Sequence, residues 1–374
     1  MRHAEQNGQR PKCLRPHFRY RAAVRVVVNA VPVRGTSLGV VAENLLTGWG
    51  QLGLDDEVHV VLRPEVRLDL PDGMTVHPTG GSRLAAMDLR VPSLCRELKA
   101  DVMLGVTPAT TTAPLPCPRA ILALDLRHEH RPGQFDTRTR LMRRTSYAIG
   151  YRQADAIVCI SHRTRDDLLA AHGYLRRHRV TVAQLGADHV LSWPARRTGP
   201  GYALAFGQWG NKNVGLVVDA WALLRDRGEA MPLVVVGLPE EGQQAVRTEV
   251  EARDLGDLVS VQPWLPADEF QRRFASASLV VFPSDYEGFG LPAVEAMRLG
   301  IPVVVTPDPA LLEVTGGLAS VMDGWDAEAL ARAVPRARAT DPQGLERGVE
   351  HASAFTWVRT AGVVRQTLAD CIAA

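Results

Sequence analysis

Two glutamates, one lysine and several glycines stand at spacings that could do chemistry. Glu287 and Glu295 are separated by seven residues, Gly288-Phe289-Gly290-Leu291-Pro292-Ala293-Val294. Glycines let the backbone approach a ligand closely. Pro292 opens what reads as a helix over 292–299, with Gly300 just past its end. The free N–H groups of such a helix start favour an anion. Glu287 then lies on the loop and Glu295 about one turn into the helix, and both can point at the crevice above the strand ends. Lys212 ends a second glycine-bearing turn, Gly207-Gln208-Trp209-Gly210-Asn211-Lys212, ahead of a helix over 214–224. A lysine there can meet a diphosphate as a point charge. Asp125, Arg127, His128, Glu129 and His130 follow an apolar run at 120–124, and such positions just beyond a strand end are where open α/β sheets bind ligands. The plainer readings of the same residues are a helix cap, a solvated helix face and solvated loop charges. His128 and His130 could also chelate a metal from an extended segment, although no partner ligands accompany them.

These residues need strands and helices to position them. Residues 279–282 and 303–305 are short unbroken apolar runs, the pattern of strands buried on both faces. With the helix between them they make a right-handed βαβ unit. The same alternation begins earlier, with a strand at 24–28, a loop holding Gly35 and Gly39, and a helix at 40–52. Strands follow at 57–62, 76–78, 102–106, 120–124 and 156–160, and helices at 83–99, 138–154 and 163–171, the last capped by Ser161. Residues 191–201 carry two prolines and two glycines and read as an interdomain linker. Strands at 202–206, 232–236 and 259–262 form a second set with a helix at 267–277. Trp264, between Pro263 and Leu265, is expected to fill a core in preference to stacking on a base. A helix at 327–339 should bend or break at Pro335, and Thr356 should cap a long terminal helix.

Length and composition bound the rest. A chain of 374 residues with 46% hydrophobic and 22% charged content suits two globular domains. A net charge of +2 leaves no nucleic-acid footprint. The five cysteines (13, 95, 117, 159 and 371) are odd in number and scattered, with no CxxC pair. That pattern argues against a zinc or disulfide framework and for a reducing, cytoplasmic compartment. No apolar run approaches a membrane span. Residues 1–23 are basic without an apolar core, which reads as a disordered leader, or as a segment drawn to the anionic inner face of a membrane. A GxGxxG dinucleotide fingerprint is missing, which disfavours a nicotinamide-dependent dehydrogenase.

The string from 279 to 306, with its Glu-x7-Glu, Gly-Phe-Gly-Leu-Pro and Gly-Ile-Pro-Val-Val, resembles retaining glycosyltransferases of the GT-B fold, family 4 (glycosyl transferases group 1). The resemblance implies an α/β architecture of two facing Rossmann-like domains with parallel sheets. It divides the chain into a leader (1–23), an acceptor-side domain (24–190), a linker (191–201), a nucleotide-sugar domain (202–350) and a helix returning to the first domain (351–374). It implies sugar transfer from a nucleotide-diphosphate donor to an acceptor hydroxyl on a glycan, lipid or natural product, without metal or cofactor. The implied donor site is Gly207, Gln208, Lys212, Trp264, Leu265, Gly288, Phe289, Gly290 and Leu291, with Glu295 on the ribose. Glu287 is implied beside the transferred sugar, with Asp125 near it. Gly35, Gly39 and Arg127 would border the acceptor and the phosphates. This chain departs from the family twice. The family histidine before Asp125 is Leu124, so either His128 takes over part of its task or Asp125 suffices. Gln208 and Asn211 stand where a second phosphate cation is usual, a loss that Arg127 from the other domain could offset. Both glutamates are expected at the cleft surface. A nucleotide-sugar epimerase of the same fold and a non-catalytic nucleotide-sugar-binding protein remain the alternatives.

Overall fold

The computed structural model describes residues 23–34, 37–194, 201–208 and 210–374. The basic leader up to residue 22, Gly35 and linker residues 195–200 lie outside the described residues. The first sheet contains β1 (Arg25–Asn29), β2 (Glu57–Leu62), β3 (Thr75–Pro78), β4 (Val102–Gly105), β5 (Arg119–Ala123), β6 (Ala156–Cys159) and β7 (Arg179–Val182). The second contains β8 (Ala203–Phe206), β9 (Leu233–Val236), β10 (Val259–Val261), β11 (Leu279–Phe282), β12 (Val303–Val305) and β13 (Ser320–Val321). The strand orders are β3-β2-β1-β4-β5-β6-β7 and β10-β9-β8-β11-β12-β13, and every pairing is parallel. Valine-rich runs such as β1 and β12 are buried because helices cover both faces of each sheet. Strand order reverses between β1 and β4 and again between β8 and β11. At such switch points adjacent loops diverge and leave a crevice beyond the carboxyl ends of the strands.

Two local expectations change, and one helix appears that the sequence reading did not place. The helix after β1 is Ser37–Gly50, so Gly39 lies buried in its first turn and not on the loop. A β carbon there would sit 3.4 Å from the Arg34 carbonyl oxygen, an ordinary contact, so the position does not require glycine. The helix Ala327–Arg338 runs through Pro335 unbroken. Proline there removes one intrahelical bond near the helix end, and the buried face Ala329, Leu330, Ala333, Val334 and Ala337 packs with Val217, Val218 and Trp221. Packing of that face outweighs the local defect. A further helix, Pro342–Ala352, is capped by Asp341, whose carboxylate accepts from Gly344 N at 2.6 Å. Gly344 and Gly348 break its sequence pattern.

The terminal helix Trp357–Ile372 is capped by Thr356 and packs on Ser37–Gly50. The helices approach so closely that a β carbon at Gly48 would lie 2.3 Å from the Trp357 carbonyl oxygen. Arg365 and Asp56 form a two-pronged ion pair under this helix, Nε–Oδ2 2.6 Å and Nη2–Oδ1 3.0 Å, with side chains 0% and 1% exposed. Asp56 also accepts from Trp49 Nε1 and from Val24 N, each at 3.0 Å. Removing one member of a buried pair strands the other charge without solvent. Asp56→Asn should therefore lower unfolding stability by about 3–5 kcal/mol in urea. Arg332→Gln, which breaks a pair exposed on both sides, should cost no more than about 1 kcal/mol. Equal midpoints for the two variants would contradict the pinning of the terminal helix by Asp56.

Candidate active site

β8 and β11 are neighbours in register, so the loops that leave them emerge side by side. Lys212 comes from the first loop and Glu287 from the second. They form an ion pair, Lys212 Nζ to Glu287 Oε1, with both side chains mostly buried. The ammonium also lies 4.2 Å from the centroid of the Phe282 ring. Asn211, 2% exposed, laces the two loops together. Its amide nitrogen is within reach of Ser284 Oγ (2.8 Å), the Tyr286 carbonyl (3.0 Å) and Glu287 Oε1 (3.2 Å). Its amide oxygen accepts from Arg127 of the first domain. Asn213 turns the chain into the next helix in a left-handed conformation, φ 52°, and donates to the Pro283 carbonyl at 2.8 Å.

The glycine loop is also where the two domains meet. A β carbon on Gly288 would fall 1.8 Å from the Leu124 carbonyl oxygen, so only glycine fits. The Gly288 carbonyl accepts hydroxyl bonds from Ser161 and from Thr164, the latter at 3.0 Å. Gly290 has φ 99° and precedes the helix Leu291–Arg298. Phe289 is buried, edge-on to Phe355. Tyr286 reaches across with its hydroxyl, which accepts from Leu126 N (3.3 Å) and donates to Asp167 (2.8 Å). Glu313 accepts from His162 N and Arg163 N at 3.0 Å each and from Gln184 Nε2 at 2.8 Å. A carboxylate of the second domain thus caps the helix His162–Ala171 of the first, where the dipole favours negative charge. Asp308, 1% exposed, faces Arg163 at 3.7 Å. Burial pushes its carboxyl up to about 6, with Arg163 opposing and Glu287 adding to the rise.

The structure brings together Lys212, Glu287, Gly288 and Arg127, with half-buried Asp125 accepting from Arg127 N at 2.9 Å. Other expected site residues fall differently. Glu295 is not at the cleft surface: it is 6% exposed, and its Oε1 lies 3.1 Å from His189 Nε2. The Trp357 indole donates to His189 Nδ1 at 3.0 Å. An indole N–H can only donate, so Nδ1 accepts and Nε2–H is left to donate to Glu295. His128 does not replace the histidine lost at Leu124. It is 1% exposed, edge-on to Tyr147 with ring centroids 4.9 Å apart, and neither ring nitrogen has a hydrogen bond. Burial lowers its pKa, against the opposing pull of Glu129 and Asp125. His128 and His130 sit on a short helix and not an extended segment, and His130 stacks on Tyr286. Among the described residues no group of three or more His, Cys, Asp or Glu could hold a metal ion.

Trp264 is 53% exposed, which overturns its assignment to a core. β10 ends at Val261, so Trp264 lies beyond the end of the strand. It lies beside Gly237, 3.8 Å from where a β carbon there would sit, and next to Gln208. Leu265 and Leu291 are partly buried against the core. Gly207 gives room to Leu238, whose Cγ would be 2.4 Å from an added β carbon. Thr164, Tyr286, His189 and Glu313 entered only with the fold, and Asn211, read in the sequence as replacing a cation, gained its contacts there. Among the cross-domain contacts, Ser161 carried a sequence signal as a helix cap and Arg127 as a cation facing the turn of the second domain.

Residues 195–342 match the family model described as Glycosyl transferases group 1. That stretch is a glycosyl transferases group 1 domain. The chain is 28% identical over 195 residues to O-antigen chain mannosyltransferase B of Escherichia coli, covering 51% of this chain and 50% of that one. The chain spans half or less of the length of the first relatives it matches. Among solved structures, sucrose-phosphate synthase from Thermosynechococcus elongatus superposes with TM-score 0.71 at 18% identity, covering 94% of this chain and 99% of that one. Anabaena HepE in complex with UDP and glucose gives 0.69 at 16%, covering 93% and 100%. The fold is GT-B.

Two measurements probe the junction. Gly288→Ala should hold the domains apart, raising the radius of gyration in solution scattering while far-ultraviolet circular dichroism stays unchanged. An unchanged radius would show that the loop can refit around a methyl group. For Asp308, a carboxyl raised by burial contributes stability below its unfolded pKa of about 3.9, and that contribution is lost as pH rises through about 6. Asp308→Asn should keep the cap on Ala310 N (2.9 Å in the parent). It should gain stability relative to the parent between those two pH values, then run parallel above them. Parallel curves throughout that window would sink the assignment.

Proposed function

We propose that this protein is a glycosyltransferase that moves a sugar from a nucleotide-diphosphate donor to an acceptor hydroxyl. The acceptor belongs to a glycan, lipid or natural product, and the reaction retains anomeric configuration without a bound metal. The observation that carries this reading is the contact of Lys212 with Glu287 at the switch point of the second sheet, under the glycine loop that meets the first domain. The hard step is departure of the nucleoside diphosphate. Lys212 and the N–H groups around Gly288–Leu291 would stabilise the charge developing on it. A bound diphosphate would take Lys212 from Glu287, leaving that carboxylate to face the anomeric carbon. Glu295, with one oxygen held by His189, would offer the other to the ribose. The exposed Trp264 ring, beside Gln208, supports stacking on the base. Meeting of the domains would exclude water that otherwise hydrolyses the donor. Relatives titled as mannosyltransferases and a neighbour solved with UDP and glucose support a nucleotide-sugar donor.

No helix among the described residues is long and apolar enough to cross a membrane. Peripheral contact with an anionic membrane, at its cytoplasmic face, is supported by the helix Thr137–Gln153. It exposes Arg138, Arg140 and Arg144 together with Leu141 and Met142. The burial of His128 favours one second reading, a protein that binds the nucleotide sugar without turning it over.

A thermal-shift screen with UDP-, GDP-, ADP- and dTDP-sugars identifies the donor by mass action, and product analysis in EDTA separates sugar transfer from epimerisation and from binding alone. Activity that vanishes in EDTA and returns with Mg²⁺ would overturn metal independence. In steady-state kinetics Glu287→Gln should lower kcat with donor KM nearly kept, since its interaction strengthens in the transition state. Glu295→Gln should mainly raise donor KM, the mark of uniform binding. Lys212→Ala should weaken nucleoside diphosphate binding by about 1.5–3 kcal/mol, the worth of a charge-assisted hydrogen bond. Full activity in all three variants would remove the motif from the mechanism.

A further inference from the structure

Glu295 is fixed on one side and open on the other. Its side chain is 8% exposed, and His189 is its one ion-pair neighbour among the described residues. Its Oε1 faces His189 Nε2 at 3.1 Å. Its Oε2 has no partner among the described residues, yet it is not sealed from solvent. A mostly buried carboxylate with no lysine or arginine beside it calls for neutral donors on its remaining acceptor sites. Hydroxyl groups meet that need, and an anion does not.

His189 cannot turn away from this carboxylate. It stands on the short turn Asp188–Ser192, against the start of the terminal helix. The Trp357 indole donates to its Nδ1 at 3.0 Å, and Trp357 N donates to the neighbouring Asp188 carboxylate at 2.8 Å. Ala187 N donates to the Phe355 carbonyl at 3.0 Å. A β carbon on Gly186 would lie 2.2 Å from Trp357 N, so the two segments run in contact. Trp193 stands edge-on to the imidazole, with ring centroids 5.7 Å apart. The clamp fixes the ring, and the indole fixes its proton on Nε2. The other tautomer would set a lone pair against Glu295 and drive the carboxylate from its place.

We infer that His189, clamped by Trp357, is a positioning residue that makes Glu295 select a nucleoside diphosphate whose 2′- and 3′-hydroxyls are both free. A carboxylate held at this angle takes hydroxyl hydrogens, and a nucleotide without them leaves the acceptor unpaired. UDP-, GDP- and ADP-sugars are thereby set ahead of dTDP-sugars, which lack the 2′-hydroxyl. The inference rests on the proposed transfer reaction, which lays the donor nucleotide at Glu295.

The test uses the full chain and calorimetry with UDP, GDP and ADP beside their 2′,3′-dideoxy counterparts. In the parent, the nucleoside diphosphate that binds should exceed its dideoxy form by about tenfold or more, as expected for a charge-assisted hydrogen bond. His189→Ala should bring that ratio to within about threefold of unity while the dideoxy affinity is nearly kept. His189→Gln, whose amide donates in place of Nε2–H, should restore much of the ratio. Trp357→Phe leaves the imidazole but frees its tautomer, so it should give an intermediate ratio, and it carries the test should His189→Ala fail to fold. Nitrogen-15 spectra of the parent should show His189 protonated at Nε2 and not at Nδ1. An equal fall of both affinities in His189→Ala would assign the residue to folding alone and overturn the inference. So would an imidazole protonated at Nδ1. If none of the three nucleoside diphosphates binds the parent, the transfer reading fails and the inference falls with it. If one binds with a ratio near unity, the inference alone fails.

Discussion

The functional geometry depends on one steric fact, that the backbone of Gly288 lies against the backbone of Leu124. A β carbon at 1.8 Å from a carbonyl oxygen is impossible, and a backbone atom cannot swing aside as a side-chain end can. Without a side chain, the Gly288 carbonyl sits where Ser161 and Thr164 can donate to it. Those two hydroxyls also organise the start of the helix His162–Ala171, Ser161 accepting from Thr164 N at 2.9 Å. One glycine thus ties the loop holding Glu287 to a strand end and a helix start of the other domain. Glu313 adds charge to the same junction by capping that helix from across the interface. The contact between the domains thus fixes where the loop holding Glu287 meets the first domain.

The electrostatics of the site are arranged around this junction. Lys212 and Glu287 neutralise each other, and Asn211 holds the carboxylate from a second side. The pair lets two charged groups sit in a mostly buried place without an orphaned charge. Arg127 enters from the first domain and is bonded to Asn211, so a cation of the opposite domain is held against the turn that carries Lys212. The arginines around Tyr147 are held differently. Two of them, Arg83 and Arg143, have no ion pair among the described residues, and Asp125 acts on the same tyrosine.

His189 shows how a partner fixes a tautomer. The indole of Trp357, at the start of the terminal helix, can only donate, and it donates to Nδ1. Nε2 must then carry the proton that reaches Glu295. The helix that returns to the first domain therefore positions a carboxylate of the second, and the buried Arg365–Asp56 pair fixes that helix in place. A structural anchor and the second glutamate of the motif are joined through one imidazole.

By itself the sequence determined the classes of element and the two chemical turns. Unbroken valine runs and helix-period segments alternate because parallel strands are buried on both faces, and that pattern is local. Lys212, Glu287 and the glycines between the glutamates were legible because the chemistry of a turn before a helix is also local. Contacts between residues far apart in the chain were decided by the tertiary structure alone. His189 meets Glu295 across 106 positions and Arg127 meets Asn211 across 84, and no periodicity records such pairings. His128 looked available because its neighbours are charged, yet the fold turned it against Tyr147 and buried it. Trp264 looked like core because it is aromatic, yet it lies beyond the strand end at Val261 and stays exposed. Local pattern fixes which residues sit at a strand end, and the packing of one domain on the other decides which of them are exposed.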